Sequence, residues 1–462
     1  MPYTTPNGSF ELASRLGHRE IALRALADSR VFFVPAESVP ERDFLRERIC
    51  RPSIDLAWDG PPLLSALAVD GSRDAERVRD GMPSVVYGFA QAAAAYLDLA
   101  ALEQQKSERF VDPYALDRAL NTSLVSIDLP CAGAYERPGI SIQRSWREAI
   151  DRILRTRRIE VNRLDRSLLE LLMLLHGTPG RPAPSISVRC PDRDCTGGAI
   201  VGADSPAPTG TPCTTCGEPV FVTDILRIHE EVQEEGTNET ALGRLMSVLE
   251  LLTLVGLLSL LWEHHRADLL PSILFILDGP LAMYGTPAKL RSRALDFYQA
   301  MCATTPGPGP FVAGIEKTGA VVDFAHSLAR HDVLEPGELL TLDAEVLGRL
   351  GNTDDPRKYG KETYWGRKFI YRCTDGRVLV PTIPPPSGAP YDTTGGQPDP
   401  RDYPTLPYIL DVFERTGSSL YVDGIIPVAL AHGTAALPIG VGTDVLKLVA
   451  KKKLGLDQPQ VP

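Results

Sequence analysis

The sequence predicts an α/β protein carrying a small metal-binding insert. Three observations lead there: two apolar runs that each end on Asp-Gly, helical periodicity around and between them, and two short cysteine knuckles in a loop-rich interval. The first run, Leu64-Ser65-Ala66-Leu67-Ala68-Val69-Asp70-Gly71-Ser72-Arg73, is apolar enough for a buried strand and stops abruptly on a carboxylate and a glycine. Open α/β sheets bind ligands at the C-terminal ends of central strands, so Asp70 stands where a functional charge belongs, and Gly71 lets the backbone turn beside it. The second run, Ser272-Ile273-Leu274-Phe275-Ile276-Leu277-Asp278-Gly279-Pro280-Leu281, delivers Asp278 in the same way. Taken singly, each Asp-Gly is equally an ordinary turn. Taken together, two carboxylates side by side repel unless protonated or bridged by a cation, and the pair points to a divalent-metal site.

Composition bounds the rest. A chain of 462 residues is long enough for a large core and two or three structural units, and 43% hydrophobic with 23% charged residues describes a soluble globular protein. A net charge of -11 and a pI near 5.3 exclude a surface coated in positive charge, so any nucleic acid must be held in a local basic channel. Met1-Pro2-Tyr3-Thr4-Thr5-Pro6 lacks the basic and apolar regions of a signal peptide, and a cytoplasmic location is expected. The most apolar window, Val248 to Trp262, falls short of the roughly 20 residues that span a bilayer and contains Glu250, so it is expected to be a buried helix, with no membrane involved. Cys50, Cys131, Cys302 and Cys373 are scattered, whereas Cys190, Cys195, Cys213 and Cys216 cluster, which favours metal over disulfides.

Residues 1–60 are expected to form an N-terminal helical region, with amphipathic pieces at Glu11–Leu26 and Pro40–Arg51. Residues 61–186 hold the first part of the core: the Asp70 strand, a second strand at Ser84–Ala90 leading into an alanine-rich element as a hairpin or meander, and one long helical pattern from Arg144 to His176. Its arginines are interleaved with Glu148, Asp151, Glu160 and Asp165, giving either a salt-bridged solvated face or a strip of phosphate contacts. Gly177–Pro184 marks a boundary. Residues 187–222 then supply Cys190, Cys195, Cys213 and Cys216, two knuckles that suit tetrahedral zinc in a ribbon whose closed shell leaves no open position for catalysis.

Residues 223–462 hold the second part of the core. A helix resumes at Asp224, and its Glu250 is set among apolar residues, where it needs an arginine partner, an exposed helix end or a metal. His264-His265 is expected to face solvent. Phe311–Gly319 is a third short strand ending near Lys317, which either binds phosphate or is an ordinary edge-strand lysine. Residues 352–405 are loop-rich, with a strand allowed at Tyr364–Tyr371. Ile425–Ala436 is a small-residue helix carrying His432, in a setting where a lone histidine is usually a core residue, and a last helix runs from Thr443 to Lys451-Lys452-Lys453. No Walker-type phosphate loop is present.

The order of these features is specific: a strand ending Val-Asp-Gly-Ser, a helix with Arg244-x5-Glu250, a strand ending Leu-Asp-Gly-Pro-Leu, a Gly-Ile-Glu-Lys strand and a Pro427-x3-Ala-His432 helix. It resembles the NurA family of nucleases, most closely at residues 66–73 and 272–284, with further matches at 244–252, 311–319 and 425–436 and none in the first 60 residues or the ribbon. The resemblance implies an RNase H-like mixed sheet flanked by helices and a manganese- or magnesium-dependent deoxyribonuclease, acting as a 5′ to 3′ exonuclease, a single-strand endonuclease or both. It further implies a homodimer that works with a HerA-type hexameric ATPase on DNA, in end processing or anti-phage defence. Matched residue by residue, Asp70 is the first metal carboxylate, Glu250 the helix glutamate, Asp278 the second aspartate, His432 the C-terminal histidine and Lys317 the strand lysine. The ribbon and a long gap between Glu250 and Asp278 depart from the family pattern, and Glu170 and Glu263 are the other candidates for the helix glutamate.

Phosphodiester chemistry agrees on separate grounds. Two cations about 4 Å apart supply an activated water, in-line geometry and charge neutralisation, and hard oxygen ligands suit magnesium or manganese. Asp70 is expected to bridge the ions, Asp278 and Glu250 to hold one each, His432 to complete a ligand set or orient the water, and Lys317 to bind phosphate. Two other readings compete: a catalytically inactive adaptor that binds DNA or a partner through its ribbon and Arg-rich helix, and a phosphoesterase acting on RNA or a nucleotide.

Overall fold

Alternating apolar residues build the sheet on which the other layers are laid. The computed structural model describes residues 42–52, 62–81, 84–106, 122–161, 163–207, 209–263, 268–350, 363–386, 396–417, 424–437 and 441–456. By its contacts the chain divides after Pro40, and every described residue belongs to the second unit, Glu41–Pro462. The expected amphipathic helix at Glu11–Leu26 lies outside the described residues.

In chain order the strands are β1 (Ile49–Cys50), β2 (Ser65–Arg79), β3 (Val85–Asp98), β4 (Thr122–Ala132), a hairpin of β5 (Arg158–Val161) and β6 (Leu164–Ser167), and the short strands β7 (Ile186–Arg189), β8 (Gly198–Val201), β9 (Thr211–Pro212) and β10 (Pro219–Val220). They continue with β11 (Ile273–Asp278), β12 (Phe311–Glu316), β13 (Glu338–Thr341), β14 (Arg367–Arg372) and β15 (Val378–Ile383). Among the described residues nine of them form one sheet in the order β1-β13-β14-β15-β12-β11-β2-β3-β4. β11 runs parallel to both neighbours, β2 and β12, and the other pairings in the sheet are antiparallel. The protein is a mixed α/β fold with helices on both faces of this sheet.

The side-chain period of two sorts the strands onto two cores. Leu67, Val69, Phe275 and Leu277 face the helices Ile142–Thr156, Leu168–Leu175 and Glu239–Leu261. Ala66, Ala68, Leu274 and Ile276 face the helices Leu406–Arg415 and Ile426–Ala435. Glu239–Leu261 runs 23 residues with a mean hydropathy of 1.9 over its most apolar window, longer than the apolar window expected from sequence and long enough by length and composition to cross a membrane. Of that window 83% is buried against the protein itself, which makes it the central helix of the first core.

Several expectations are corrected. The Asp70 strand does not end at Gly71: β2 continues to Arg79, paired with β3 along nearly its whole length. The alanine-rich element is the middle of β3, where residues without long side chains lie close against the helical layers. In the described part of Pro40–Arg51 a single turn, Arg42–Leu45, is followed by β1, which pairs with β13 and so belongs to the sheet. Arg144–His176 is not one helix. It stops at Thr156, β-branched Ile159 and Val161 enter a hairpin whose turn holds Arg163 at φ 73°, and a new helix starts at Ser167 under a capping box with Glu170. The loop-rich interval contains β14 and β15, with Pro381 inside a strand. Ile315, opposite it on β12, turns its carbonyl to β11, where it accepts the Gly279 N–H at 2.8 Å, so residue 381 turns its nitrogen to β14, where the pairing lapses between Lys368–Thr382 and Tyr371–Leu379 and no donor is missed.

The arginines of Ile142–Thr156 hold the ribbon against the core. Arg147 reaches both Asp224 oxygens at 2.8 Å and Glu218 Oε1 at 2.8 Å, and Asp224 is 4% exposed. Arg144 pairs with Glu148 and Glu218, Arg155 with Asp151, and both Arg144 and Arg147 lie over the Phe221 ring. The ion pairs of the salt-bridged reading are present, but those of this helix are largely buried, whereas Arg158–Asp165 beyond it is exposed. Arg147→Ala leaves Asp224 buried and unpaired, and a loss of about 3–5 kcal/mol in a urea unfolding experiment is expected.

Candidate metal centre

Register brings the two Asp-Gly pairs together. Val69 of β2 lies opposite Leu277 of β11 in a parallel pair, so the next residues, Asp70 and Asp278, stand side by side on strands about 4.8 Å apart. Both follow the even-numbered positions onto the face covered by Ile426–Ala435. One carboxylate oxygen from each and a ring nitrogen of His432 lie within 4.8 Å of one another.

Each group is positioned by a neighbour. Asp70 Oδ1 accepts the Gly71 N–H at 2.7 Å, and Asp70 Oδ2 lies 2.7 Å from His432 Nδ1. Lys317 Nζ, just beyond the end of β12, donates to Asp278 Oδ2 at 2.7 Å. β12 is an interior strand, so Lys317 is not an edge-strand lysine. The helix bearing His432 is tied down at its C-terminal end: the Ala435 carbonyl accepts from Gln91 Nε2 at 2.6 Å and from the Ser72 hydroxyl, whose oxygen accepts the Leu437 N–H at 3.1 Å.

Glu250 arrives from the opposite layer. A Cβ at residue 71 would lie 2.5 Å from Glu250 Oε1 and 3.0 Å from its Cγ, so only glycine leaves room for this carboxylate beside Asp70. The glycine serves as a slot through the sheet and not as a turn. Gly279, at φ 110°, does turn the chain after Asp278. A cleft of about 270 Å³ opens here, lined by all three carboxylates together with Met246, Tyr284 and Trp365, whose buried indole N–H has no partner among the described residues.

The electrostatics are unbalanced. Burial, then repulsion by Asp70 and Asp278, push the Glu250 carboxyl up to about 8, against a small opposing effect of the Gly71 N–H. Among the described residues no Lys, Arg or His pairs with Glu250. Burial and Asp70 also raise Asp278, while Lys317 and His432 pull it down. Asp70, Asp278 and His432 form the cluster within ligand reach and Glu250 stands on the wall of the same cleft, so three carboxylates facing a single lysine and an imidazole leave room for added positive charge of the kind a hard divalent cation brings. The other two glutamates are engaged elsewhere: Glu170 caps its helix at Ser167 and lies near Arg158, and Glu263 pairs with Arg166. His264-His265 lies outside the described residues. The positioning groups Ser72, Gln91 and Trp365 were not singled out from the sequence. Ser72 had a signal, since it lies two residues beyond Asp70 and thus on the same face of a strand.

The cysteines form a second cluster. The β7/β8 and β9/β10 hairpins bring Cys190, Cys195, Cys213 and Cys216 together, with Sγ–Sγ separations of 3.5 Å for Cys190–Cys216 and 3.7 Å for Cys195–Cys213. Tetrahedral Zn–S bonds of about 2.3 Å place sulfurs about 3.8 Å apart, so the four fit zinc. The Gly197 and Thr215 N–H groups donate to Cys195 and Cys213 sulfurs at 3.4 Å, an arrangement that favours thiolates.

No family model matches the chain, and no curated protein matches it. Among solved structures it is similar to the NurA nuclease from Sulfolobus solfataricus, at 10% identity over 97% of each chain with a TM-score of 0.32. It is also similar to a structure of NurA with manganese, at 10% identity over 96% of this chain and 98% of that one with a TM-score of 0.26.

Two outcomes follow from the geometry. Purified protein should carry about one zinc per chain by elemental analysis, and Cys213→Ala should lose it and lower the thermal midpoint. Raising the Glu250 pKa from its ordinary 4.5 to about 8 means that the folded protein free of magnesium and manganese holds a proton which the unfolded chain releases. Stability therefore falls as pH rises between those two values, by at most on the order of 1.4 kcal/mol per unit. Glu250→Gln removes that slope, so thermal midpoints of wild type and variant should separate towards about pH 8, with the variant higher; parallel profiles would contradict the assignment.

Proposed function

We propose that the protein is a metal-dependent deoxyribonuclease that hydrolyses phosphodiester bonds at the cluster of Asp70, Asp278, Glu250 and His432. The observation that carries this reading is the side-by-side placement of Asp70 and Asp278 at the end of their parallel pairing, with Glu250 admitted beside them through the Gly71 slot. Magnesium or manganese ions, when bound, supply a water of lowered pKa and neutralise charge on the leaving oxygen.

The chain's own groups divide the remaining work. Asp70, Asp278 and His432 would hold such a cation between them, and Glu250, on the wall of the same cleft, would add a further carboxylate oxygen. The His432 Nδ1–H donated to Asp70 fixes the tautomer and leaves Nε2 with a lone pair, on an exposed ring, to orient a water or take its proton. Lys317, partly exposed at the rim, offers its ammonium to a non-bridging phosphate oxygen. Trp365 and Tyr284 wall the cleft and limit the water that reaches it.

DNA as the substrate, cleavage from 5′ to 3′ or within single strands, a homodimer and a HerA-type hexameric ATPase as partner belong to the same proposal and rest on the NurA-like order of motifs in the sequence. Zinc in the cysteine cluster is structural in this reading, because its four ligands close the shell.

The test is manganese-dependent degradation of end-labelled linear DNA, single- and double-stranded, with and without the ATPase. Asp70→Asn and Asp278→Asn should each lower the rate by at least about a hundredfold, with folding retained. Equal degradation by wild type and Asp70→Asn would sink the reading. Inactivity of the wild type under every condition would favour an adaptor.

A further inference from the structure

A chain of net charge -11 can hold nucleic acid only in a local basic channel, and most arginines of the Ile142–Thr156 helix are engaged in ion pairs. The uncompensated basic groups lie elsewhere. Two clefts, of about 830 and 410 Å³, share Ile225, Arg227, Glu230 and Lys289 on their walls and so form one continuous groove. One end passes the first cysteine knuckle at Cys190–Arg193, and the other follows the start of the Leu290–Cys302 helix to Gly285.

Six basic side chains line it: Arg189, Arg193, Arg227, Lys289, Arg291 and Arg293. Most of its acids are already neutralised. Glu230 is held by Arg227 at 2.6 and 2.8 Å, Glu231 by Arg244 at 3.2 Å and Asp224 by Arg147 at 2.8 Å, leaving Asp192, which accepts the Asp194 N–H at 3.0 Å. Among the described residues Arg189, Lys289 and Arg291 make no ion pair, and Arg293 has only the exposed Asp296 at 3.8 Å. Arg193 donates to the Glu230 carbonyl at 3.1 Å and shares the Glu230 carboxylate's field with Arg227, so two cations face that one acid. Thr286 Oγ1 and His176 Nε2, on residues of the same wall, are buried without partners among the described residues.

The groove adjoins the carboxylate cleft. Gly279, Pro280, Ala282, Met283 and Tyr284 line that cleft, and the very next residues, Gly285, Thr286, Ala288 and Lys289, line the groove. Tyr284 stands at the junction, 40% exposed, in edge-to-face contact with Tyr364 and with the two hydroxyls 2.9 Å apart. An aromatic face in that place can stack a base.

We propose that this groove binds the phosphodiester backbone of a single DNA strand and leads it past Tyr284 into the carboxylate cleft, with the cysteine ribbon forming the far wall. The proposal deepens the nuclease reading and rests on it for the destination of the strand. Cations spread along a groove match a chain of regularly spaced phosphates better than one small anion.

The test is fluorescence anisotropy with labelled oligothymidylate, using full-length Asp70→Asn protein so that the strand is not cut, with and without Arg189→Ala, Lys289→Ala and Arg291→Ala together. Alongside it, proteins with Asp70 intact are assayed for manganese-dependent hydrolysis of bis(4-nitrophenyl) phosphate, a diester too small to need the groove. The triple variant should bind about tenfold more weakly, and its plot of log affinity against log salt should be shallower by about 2, from about 0.7 per lost phosphate contact. Its small-ester hydrolysis and thermal midpoint should match those of the parent. Unchanged affinity and salt slope, or no binding by the parent, would overturn the groove. Failure of the Asp70-intact protein to hydrolyse the small diester would instead overturn the nuclease reading, and anisotropy would still decide whether the groove binds the strand.

Discussion

Everything at the candidate site depends on the parallel pairing that sets Val69 against Leu277. A shift of one residue in either strand would turn its aspartate to the other face and into a different core. In the observed register both carboxylates emerge at the same level, on the same face, in a largely desolvated position. Such an arrangement works against the fold: burial and mutual repulsion raise Asp278 and Glu250, while Lys317 and His432 offset only part of the cost. Charge repulsion of this kind, in a cleft and focused on a few residues, is a common mark of a functional centre.

The site is also built from both sides of the sheet, which a sheet lying between two helical layers does not ordinarily allow. Asp70, Asp278 and His432 belong to the face packed by Ile426–Ala435, and Glu250 belongs to the helix on the other face. A strand normally separates two such layers with a side chain at every position. Gly71 is the position where it does not, and the Glu250 carboxylate occupies the space that a Cβ would fill. One missing methyl group thus decides whether the third carboxylate joins the first two.

Much of this was legible in the sequence because it is local. Apolar runs ending Asp-Gly and cysteine knuckles are each contained in about ten residues, and each kind converges in space; His432 taken by itself reads as a core residue, and only the resemblance put it beside Asp70, where its ring is exposed. What was not legible depends on partners far away. The length of β2 is set by β3 and not by its own polar second half, Ser72 to Arg79, which an apolar-run criterion ends at Asp70. Pro381 reads as a loop residue because nothing near it shows that the ladder with β14 lapses opposite it. The arginines after Arg144 gave two opposed readings because their acids, Asp224 and Glu218, lie some 70 residues on. The break at Thr156 did leave a local trace, since Ser167 and Glu170 form a capping-box pattern within the supposed helix.

The histidine shows how the ends of the described chain are made to agree. Asp70 and His432 are separated by 362 residues, so their contact depends on the docking of the Ile426–Ala435 helix against β2 and β3. The docking helix packs Val428, Ala431 and Ala435 into the core while its histidine is largely exposed. Polar anchoring adds to this packing: Ser72 and Gln91, on adjacent strands, both donate to the Ala435 carbonyl, one of the groups a helix end leaves without an internal partner. Ser72 lies on the same strand and face as Asp70. The strand that presents the carboxylate therefore also fixes the helix that presents the imidazole, and their 2.7 Å separation is set by one rigid element and not by two independent ones.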